Sequence, residues 1–273
     1  EAYEGAYVKE PQIGRHRWVC SFDLNSLYPH LIMQYNISPE TLTGMYPRSK
    51  MVETLLDQEI DTKFLVDKNL TMTPNGAMYT RKKQGFLPAL MERMYNDRVK
   101  YKKLMIEEKK KGSNADPNKL SQYFNLQLNL KIALNSAYGA LGNQWFRYFD
   151  VRNAEAVSVA GQLSIRWAER AVNEYLNELL ETKEKDYVLA SDTDSLYVTL
   201  DSLVEKVGLT DTKKIINFMD KVCDGKIQDV IDKCYGELAE YINAFEQKMV
   251  MKREVLADVG IWTGKKHYIL NVH

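Results

Sequence analysis

Two long stretches of helical period, set between runs of strand period, constrain this chain more than any other feature. From Leu87 to Lys111 the apolar residues Leu87, Leu90, Met91, Met94 and Tyr95 recur at threes and fours, the spacing that lines up one face of a helix. Gly112-Ser113-Asn114-Ala115-Asp116-Pro117 then breaks the pattern. A second periodic run carries Leu126, Leu130, Leu134, Ala137 and Leu141 along one face. Two helices joined by a short polar loop predict an antiparallel hairpin.

The flanks read differently. Residues 18–23 alternate Trp18, Cys20 and Phe22 against Val19, Ser21 and Asp23, a period-2 strand signature that ends at an acid. Leu24 to Pro29 turn into a short apolar helix, Leu31-Ile32-Met33. Residues 44–86 are mixed, with a turn signal at Thr73-Pro74-Asn75-Gly76. Past the hairpin, 153–180 predicts an amphipathic helix through Val157, Gly161, Trp167, Ala171 and Leu176. Two short β runs, 187–190 and 196–200, flank Asp192-Thr193-Asp194 in the manner of a tight hairpin. A long helix is expected over roughly 212–248, and Val250 to Leu256 and Tyr268 to Val272 are β-like. This order predicts an α+β domain with a helical hairpin inserted into it.

Charge and cysteine content narrow the class. Lys+Arg and Asp+Glu are both 37, so net charge argues neither for nor against a polyanionic partner. Cys20, Cys223 and Cys234 form no CxxC ligand set, and reduced thiols in a cytoplasmic protein are expected. Glu1-Ala2-Tyr3-Glu4 carries no basic or apolar leader pattern. No apolar run approaches the roughly 20 residues that span a membrane.

The chemistry lies in the acids. A two-metal site needs carboxylates brought together from separate segments, and hard oxygen ligands suit Mg²⁺, which takes the rest of its shell from water and substrate phosphates. Asp23 at a strand end and Asp192 and Asp194 at a hairpin tip fit that need. Taken alone, Asp-Thr-Asp is equally a polar turn. After Asp23, residues Asn25 to Pro29 turn into a helix whose first N–H groups can face an anion. Tyr28 there can lie beneath a nucleotide sugar or pack as a core aromatic.

On the second inserted helix Lys131, Asn135, Tyr138 and Gly142 make one stripe, read as opposite the leucines. Gly139 would let a base pair approach the backbone. Between 98 and 119 eight basic residues face three acids. Arg98 and Lys102 are kept as phosphate ligands, and Lys109 to Lys111 are left as a solvated face. Lys265 and Lys266, before Tyr268, can hold a duplex backbone without reading sequence.

Together these segments resemble the family B replicative DNA polymerases, those of T-even-type bacteriophages above all. Asp23-Leu24-Asn25-Ser26-Leu27-Tyr28-Pro29 is similar to the family's Asp-x-x-Ser-Leu-Tyr-Pro motif. Lys131 to Gly139 is similar to Lys-x-x-x-Asn-Ser-x-Tyr-Gly, Asp192-Thr193-Asp194-Ser195 to the third motif, and Lys265-Lys266-His267-Tyr268 to a Lys-Lys-Arg-Tyr element. Gly5-Ala6-Tyr7-Val8 resembles a segment just upstream of the palm, and Gly142 to Tyr148 has a phage-replicase character.

The resemblance implies a palm, with its antiparallel sheet backed by helices, in two parts (1–85 and 144–273), and helical-hairpin fingers over 86–143. It implies template-directed DNA synthesis on a primer–template with dNTP and two Mg²⁺ ions. Asp23, Asp194, Asp192 and the Leu24 carbonyl would ligate metal. Ser26, Leu27, Tyr28, Arg98, Lys102, Asn135, Tyr138 and Gly139 would hold the nucleotide, with Lys131 protonating or neutralising the leaving pyrophosphate. Glu254, Lys265, Lys266 and Tyr268 would lie along the DNA. His30 stands where Ser is usual, Ser191 where Gly is common, and His267 for Arg. The family's exonuclease region and thumb are not in this sequence, so a second polypeptide carrying them is an expected partner. The host cytoplasm is the expected location if the protein is viral. Two other readings remain: a catalytically silent DNA-binding part of a split polymerase, and an Asp-x-Asp phosphatase or glycosyltransferase that leaves the Lys131 stripe without purpose.

Overall fold

The computed structural model describes residues 5–47 and 52–273; residues 1–4, read above for a leader, and 48–51 lie outside the described residues. The chain opens with β1 (Gly14–Leu24) and α1 (Leu27–Gln34). Short elements follow, β2 (Leu42–Met45), α2 (Val52–Leu56), α3 (Lys63–Asp67), β3 (Leu70–Met72) and β4 (Ala77–Thr80). Then come three long helices, α4 (Phe86–Lys109), α5 (Pro117–Leu141) and α6 (Val151–Leu180). The hairpin β5 (Val188–Asp192) and β6 (Ser195–Thr199) is followed by α7 (Asp201–Val207), α8 (Thr212–Val222), a π turn (Cys223–Ile227) and α9 (Gln228–Tyr241). The chain closes with β7 (Met251–Gly264) and β8 (His267–Val272). The architecture is mixed helix and antiparallel sheet: five strands in the order β5-β6-β1-β7-β8, and three in the order β2-β4-β3.

β1 is the middle strand of the larger sheet, and this changes the meaning of its alternation. Trp18, Cys20, Phe22 and Leu24 join the main core with the helices. Val19 on the other face packs with Leu189, Ala190, Ala257 and Trp262. The period of two therefore separates two buried faces over most of its length. Asp23 emerges half-exposed near the end of the strand, and residues 14–17 at its start are open to solvent. The smaller sheet and α2 and α3 account for the mixed stretch 44–86.

α4 and α5 pack side by side, and the loop between them is built for the turn. Asp116 caps α5 by accepting from the Asn118 and Lys119 N–H groups, with Pro117 in the first helical position. The Glu108 carboxylate in turn accepts the Asp116 N–H at 2.9 Å.

The helix expected over 212–248 is not continuous. A π turn containing Gly225 interrupts it, and it ends at Tyr241. Ile242, Ala244 and Met249 keep an apolar spacing and are buried, but as irregular chain. Gln34 holds this chain in place: its carbonyl accepts the Phe245 N–H and its side-chain oxygen the Lys248 N–H, both at 2.9 Å. Apolar spacing read as helix is satisfied here by hydrogen bonds to α1.

β7 runs well past the expected 256, because Trp262 buries its ring against Gly260. A Cβ at Gly260 would meet Trp262 Cζ3 at 2.6 Å and Leu270 Cδ2 at 2.8 Å. Gly260→Ala should therefore destabilise the chain by about 1–3 kcal/mol through overpacking. A denaturant melt checks this, and an unchanged midpoint would show that Trp262 yields freely. The three cysteines are unpaired and buried, and no helix among the described residues is long and apolar enough to cross a membrane.

Candidate active site

The β5–β6 hairpin turns through Thr193 and Asp194, with Thr193 left-handed at φ 57°. Three backbone bonds pin the tip: Asp194 N–H to Asp192 O at 2.6 Å, Leu24 N–H to Asp194 O at 2.9 Å, and Thr193 N–H to Tyr7 O at 2.9 Å. Strand register sets Asp23 opposite Ser195. The Ser195 hydroxyl donates to Asp23 Oδ1 at 2.8 Å and lies 3.4 Å from Asp194 Oδ1. Two carboxylates distant in sequence thus share one hydroxyl.

Their electrostatics are unbalanced. Burial is the main cause that pushes the Asp23 carboxyl up; Glu254 adds to it, and the Ser195 hydrogen bond opposes. Asp194 is pushed up to about 6, first by burial and then by the neighbouring Asp23 charge. Among the described residues no cation offsets either carboxylate. Asp192 is engaged elsewhere, its Oδ1 taking the Thr193 hydroxyl at 3.0 Å and standing 3.4 Å from Lys266 Nζ. Among the described residues no group of three or more His, Cys, Asp or Glu side chains is gathered as a metal cluster. The Asp23–Asp194 pair still fits Mg²⁺: hard oxygens without counter-charge suit an ion that takes its other ligands from water and phosphate.

Beyond Asp23, Leu24 is buried and Asn25 leaves the sheet, its N–H bonded to Val250 O at 3.0 Å. Ser26 precedes α1 at φ 45°, ψ 61°, and no side chain caps the helix start. Strain of this kind in a non-glycine residue costs roughly 1–3 kcal/mol and gathers at functional sites. Leu27 is buried, and Tyr28 is half-buried with its ring 4.4 Å from that of Tyr138. Tyr138 therefore faces α1 rather than standing clear of the leucines.

Arg98 and Lys102 of α4 border a groove of about 450 Å³ together with Asn25, Tyr95, Lys103 and Lys110. Lys131 and Asn135 are exposed on α5, and the structure does not bring them into hydrogen-bond contact with Asp23, Asp192 or Asp194. A Cβ at Gly139 would meet nothing within 4 Å, so that face of the helix is open. On the far side of Asp23, Glu254 lies exposed at the β7 irregularity opposite Ser21 and Phe22. Lys265 pairs with Glu10 at 3.0 Å, and Lys266 turns the chain at φ 63°. Tyr268 stacks on Trp262 with ring centroids 5.6 Å apart, and its hydroxyl lies 2.7 Å from that of Tyr197.

Three residues of this neighbourhood, and one exposed residue not shown to belong to it, escaped the sequence reading as site residues. Ser195 looks like part of a polar turn until register sets it beside Asp23. Tyr197 reads as a strand residue, and Tyr95 as one apolar helix position. Trp145 is 86% exposed, next to Arg147 packed over the Tyr148 ring, the kind of aromatic and guanidinium surface on which unpaired bases stack. An exposed Trp in the linker to α6 is the one signal the sequence could have offered.

The family model described as DNA polymerase family B matches residues 1–234. The chain is 34% identical to a DNA-directed DNA polymerase of Escherichia phage RB69, over all of this chain and 36% of that protein. Identity, coverage and name are the same for a protein of Enterobacteria phage T4. A DNA polymerase of Pyrococcus glycovorans is 32% identical over 73% of this chain and 22% of its own length. The chain thus spans little more than a third of the phage relatives it matches.

Proposed function

Because the chain belongs to DNA polymerase family B, we propose that it forms the palm and fingers of a template-directed DNA polymerase, transferring dNMP to a primer 3′-hydroxyl with release of pyrophosphate. Residues 1–85 and 144–273 make the palm in this reading, and 86–143 the fingers. The observation that carries it is the uncompensated Asp23–Asp194 pair joined through Ser195.

Mg²⁺ bound at that pair, two ions in this reading, would supply Lewis-acid activation of the primer hydroxyl and charge neutralisation for the departing pyrophosphate. Asp23 and Asp194 hold it, with the Leu24 carbonyl and Asp192 in support. The uncapped start of α1 at Ser26 and Leu27 receives the triphosphate, and Arg98, Lys102 and Asn135 approach it from the hairpin. Lys131 hands charge or a proton to the leaving group. Tyr138 and Gly139 offer a flat, open surface to the nascent base pair. Glu254, Lys265, Lys266 and Tyr268 position the primer. A viral enzyme of this kind would work in the host cytoplasm.

Tyr28, braced by Tyr138, is the sugar-side wall. Tyr28→Ala should raise rNTP incorporation relative to dNTP by about tenfold, an effect worth ~1.4 kcal/mol. Single-nucleotide incorporation with paired dNTP and rNTP checks this, and unchanged selection refutes the role.

One other reading, a catalytically silent DNA-binding part of a split polymerase, is favoured by Asp192, which engages Thr193 and Lys266 rather than the Asp23–Asp194 pair. Primer extension by the chain alone, titrated with Mg²⁺ and dNTP, separates the two. Template-directed incorporation supports the enzyme. Salt-sensitive duplex binding without incorporation supports the silent part.

A further inference from the structure

Tyr95 joins two elements that the sequence keeps far apart. Its hydroxyl accepts a hydrogen bond from Asn25 Nδ2 in the turn after Asp23. Its ring meets the edge of His30 on α1, with centroids 4.5 Å apart and planes at 80°. His30 in turn holds the strained residue of that turn: its Nδ1 lies 2.9 Å from the Ser26 carbonyl, and its N–H donates to the same oxygen at 3.2 Å. A carbonyl only accepts, so Nδ1 carries the hydrogen. His30 is almost fully buried, so this contact is screened little by solvent.

On the other side, Tyr95 sits one helical turn before Arg98 on α4, and both border the groove that Asn25 closes. The cations of α4 and the backbone donors of the turn therefore meet across a single side chain. We propose that Tyr95 is a positioning residue, a latch that through Asn25 and His30 sets the anion-receiving turn at a fixed distance from the α4 cations. This rests on the triphosphate role proposed for that turn. A movement of α4 toward or away from the turn has to carry the Asn25–Ser26 backbone with it or break the latch.

Removing only the hydroxyl tests this. Tyr95→Phe keeps the ring against His30 and loses the bond to Asn25, worth about fivefold in affinity for one neutral hydrogen bond. Inorganic tripolyphosphate is the probe, titrated calorimetrically into the full chain without DNA, so the readout does not need polymerisation. Expected are binding about fivefold weaker in Tyr95→Phe, an unchanged melting temperature, and no further loss when Asn25→Ala is added, since both report one interaction. Equal affinity in wild type and Tyr95→Phe, additive losses, or a wild-type chain that does not bind tripolyphosphate would each overturn the latch. In primer extension the same variant should raise the dNTP KM with kcat within about twofold. A wild-type chain that extends no primer, yet loses tripolyphosphate affinity in Tyr95→Phe, would keep the latch and sink the polymerase reading.

Discussion

Asp194→Asn should lower single-turnover dNMP incorporation by on the order of a thousandfold and leave the chain folded, with higher stability at pH 7 than the wild type. The two effects have one cause. Asp194 keeps its charge at neutral pH next to Asp23, with no cation among the described residues to offset it, an arrangement that repels without metal and serves when a divalent ion is bound. Its carboxyl titrates at about 6 when folded and near 3.9 in the unfolded chain. Between those values the folded state binds more protons at Asp194, so the contribution of this carboxyl to the stability of the metal-free chain falls as pH rises from about 4 to about 6 and does not return above. Solvent reaches the site, and screening reduces the loss to about 1 kcal/mol. The Asn variant lacks that slope. Urea melts at pH 4 and pH 7 without divalent ions check it: the variant should gain stability relative to the wild type between the two pH values. Incorporation within tenfold of wild type would remove Asp194 from the chemistry.

Lys131→Ala should lower kcat by about a hundredfold, the usual scale for a positioned proton donor or charge, with little change in primer–template affinity. Lys131 is exposed on α5 and no ion pair among the described residues includes it, so its truncation leaves no buried partner behind. Lys131→Arg then separates its two possible services. A guanidinium keeps the charge but does not give up a proton. Recovery to within tenfold of wild type assigns charge neutralisation, and a rate as low as that of Ala assigns proton donation. If Lys131→Ala keeps wild-type kcat, the hairpin stripe has another purpose.

Much of this was open to reading because short-range patterns carried it. The acids fall where a period-2 run ends and where two β runs meet, and both places recur in the sheet as neighbours on β1 and the β5–β6 tip. The hairpin helices were visible from spacing and from the break at Gly112 to Pro117, within which the structure makes Asp116 the cap of α5. What stayed hidden depends on contacts between distant segments. Alternation in β1 looks the same whether it divides core from solvent or one core from another, and only the central position of the strand decides. The apolar spacing of Ile242, Ala244 and Met249 mimics a helix because burial, not helix formation, requires it. Tyr138 was read as part of a polar stripe, yet it leans on Tyr28 from another element. The link from Tyr95 to Asn25 spans most of the first third of the chain, and no local pattern announces it.

The central claim is that Asp23 and Asp194 together hold divalent metal, and proton release on Mg²⁺ binding tests it most directly. Near pH 6 the raised Asp194 carboxyl is partly protonated without metal, and a metal can bind only the ionised form. Calorimetric titration of the chain with Mg²⁺, run in two buffers of different ionisation enthalpy, reads the protons released. Release by the wild type at pH 6 should fade at pH 8 and be clearly smaller in Asp194→Asn. Equal proton release in wild type and variant, or Mg²⁺ binding unaffected by loss of the carboxylate, would contradict it.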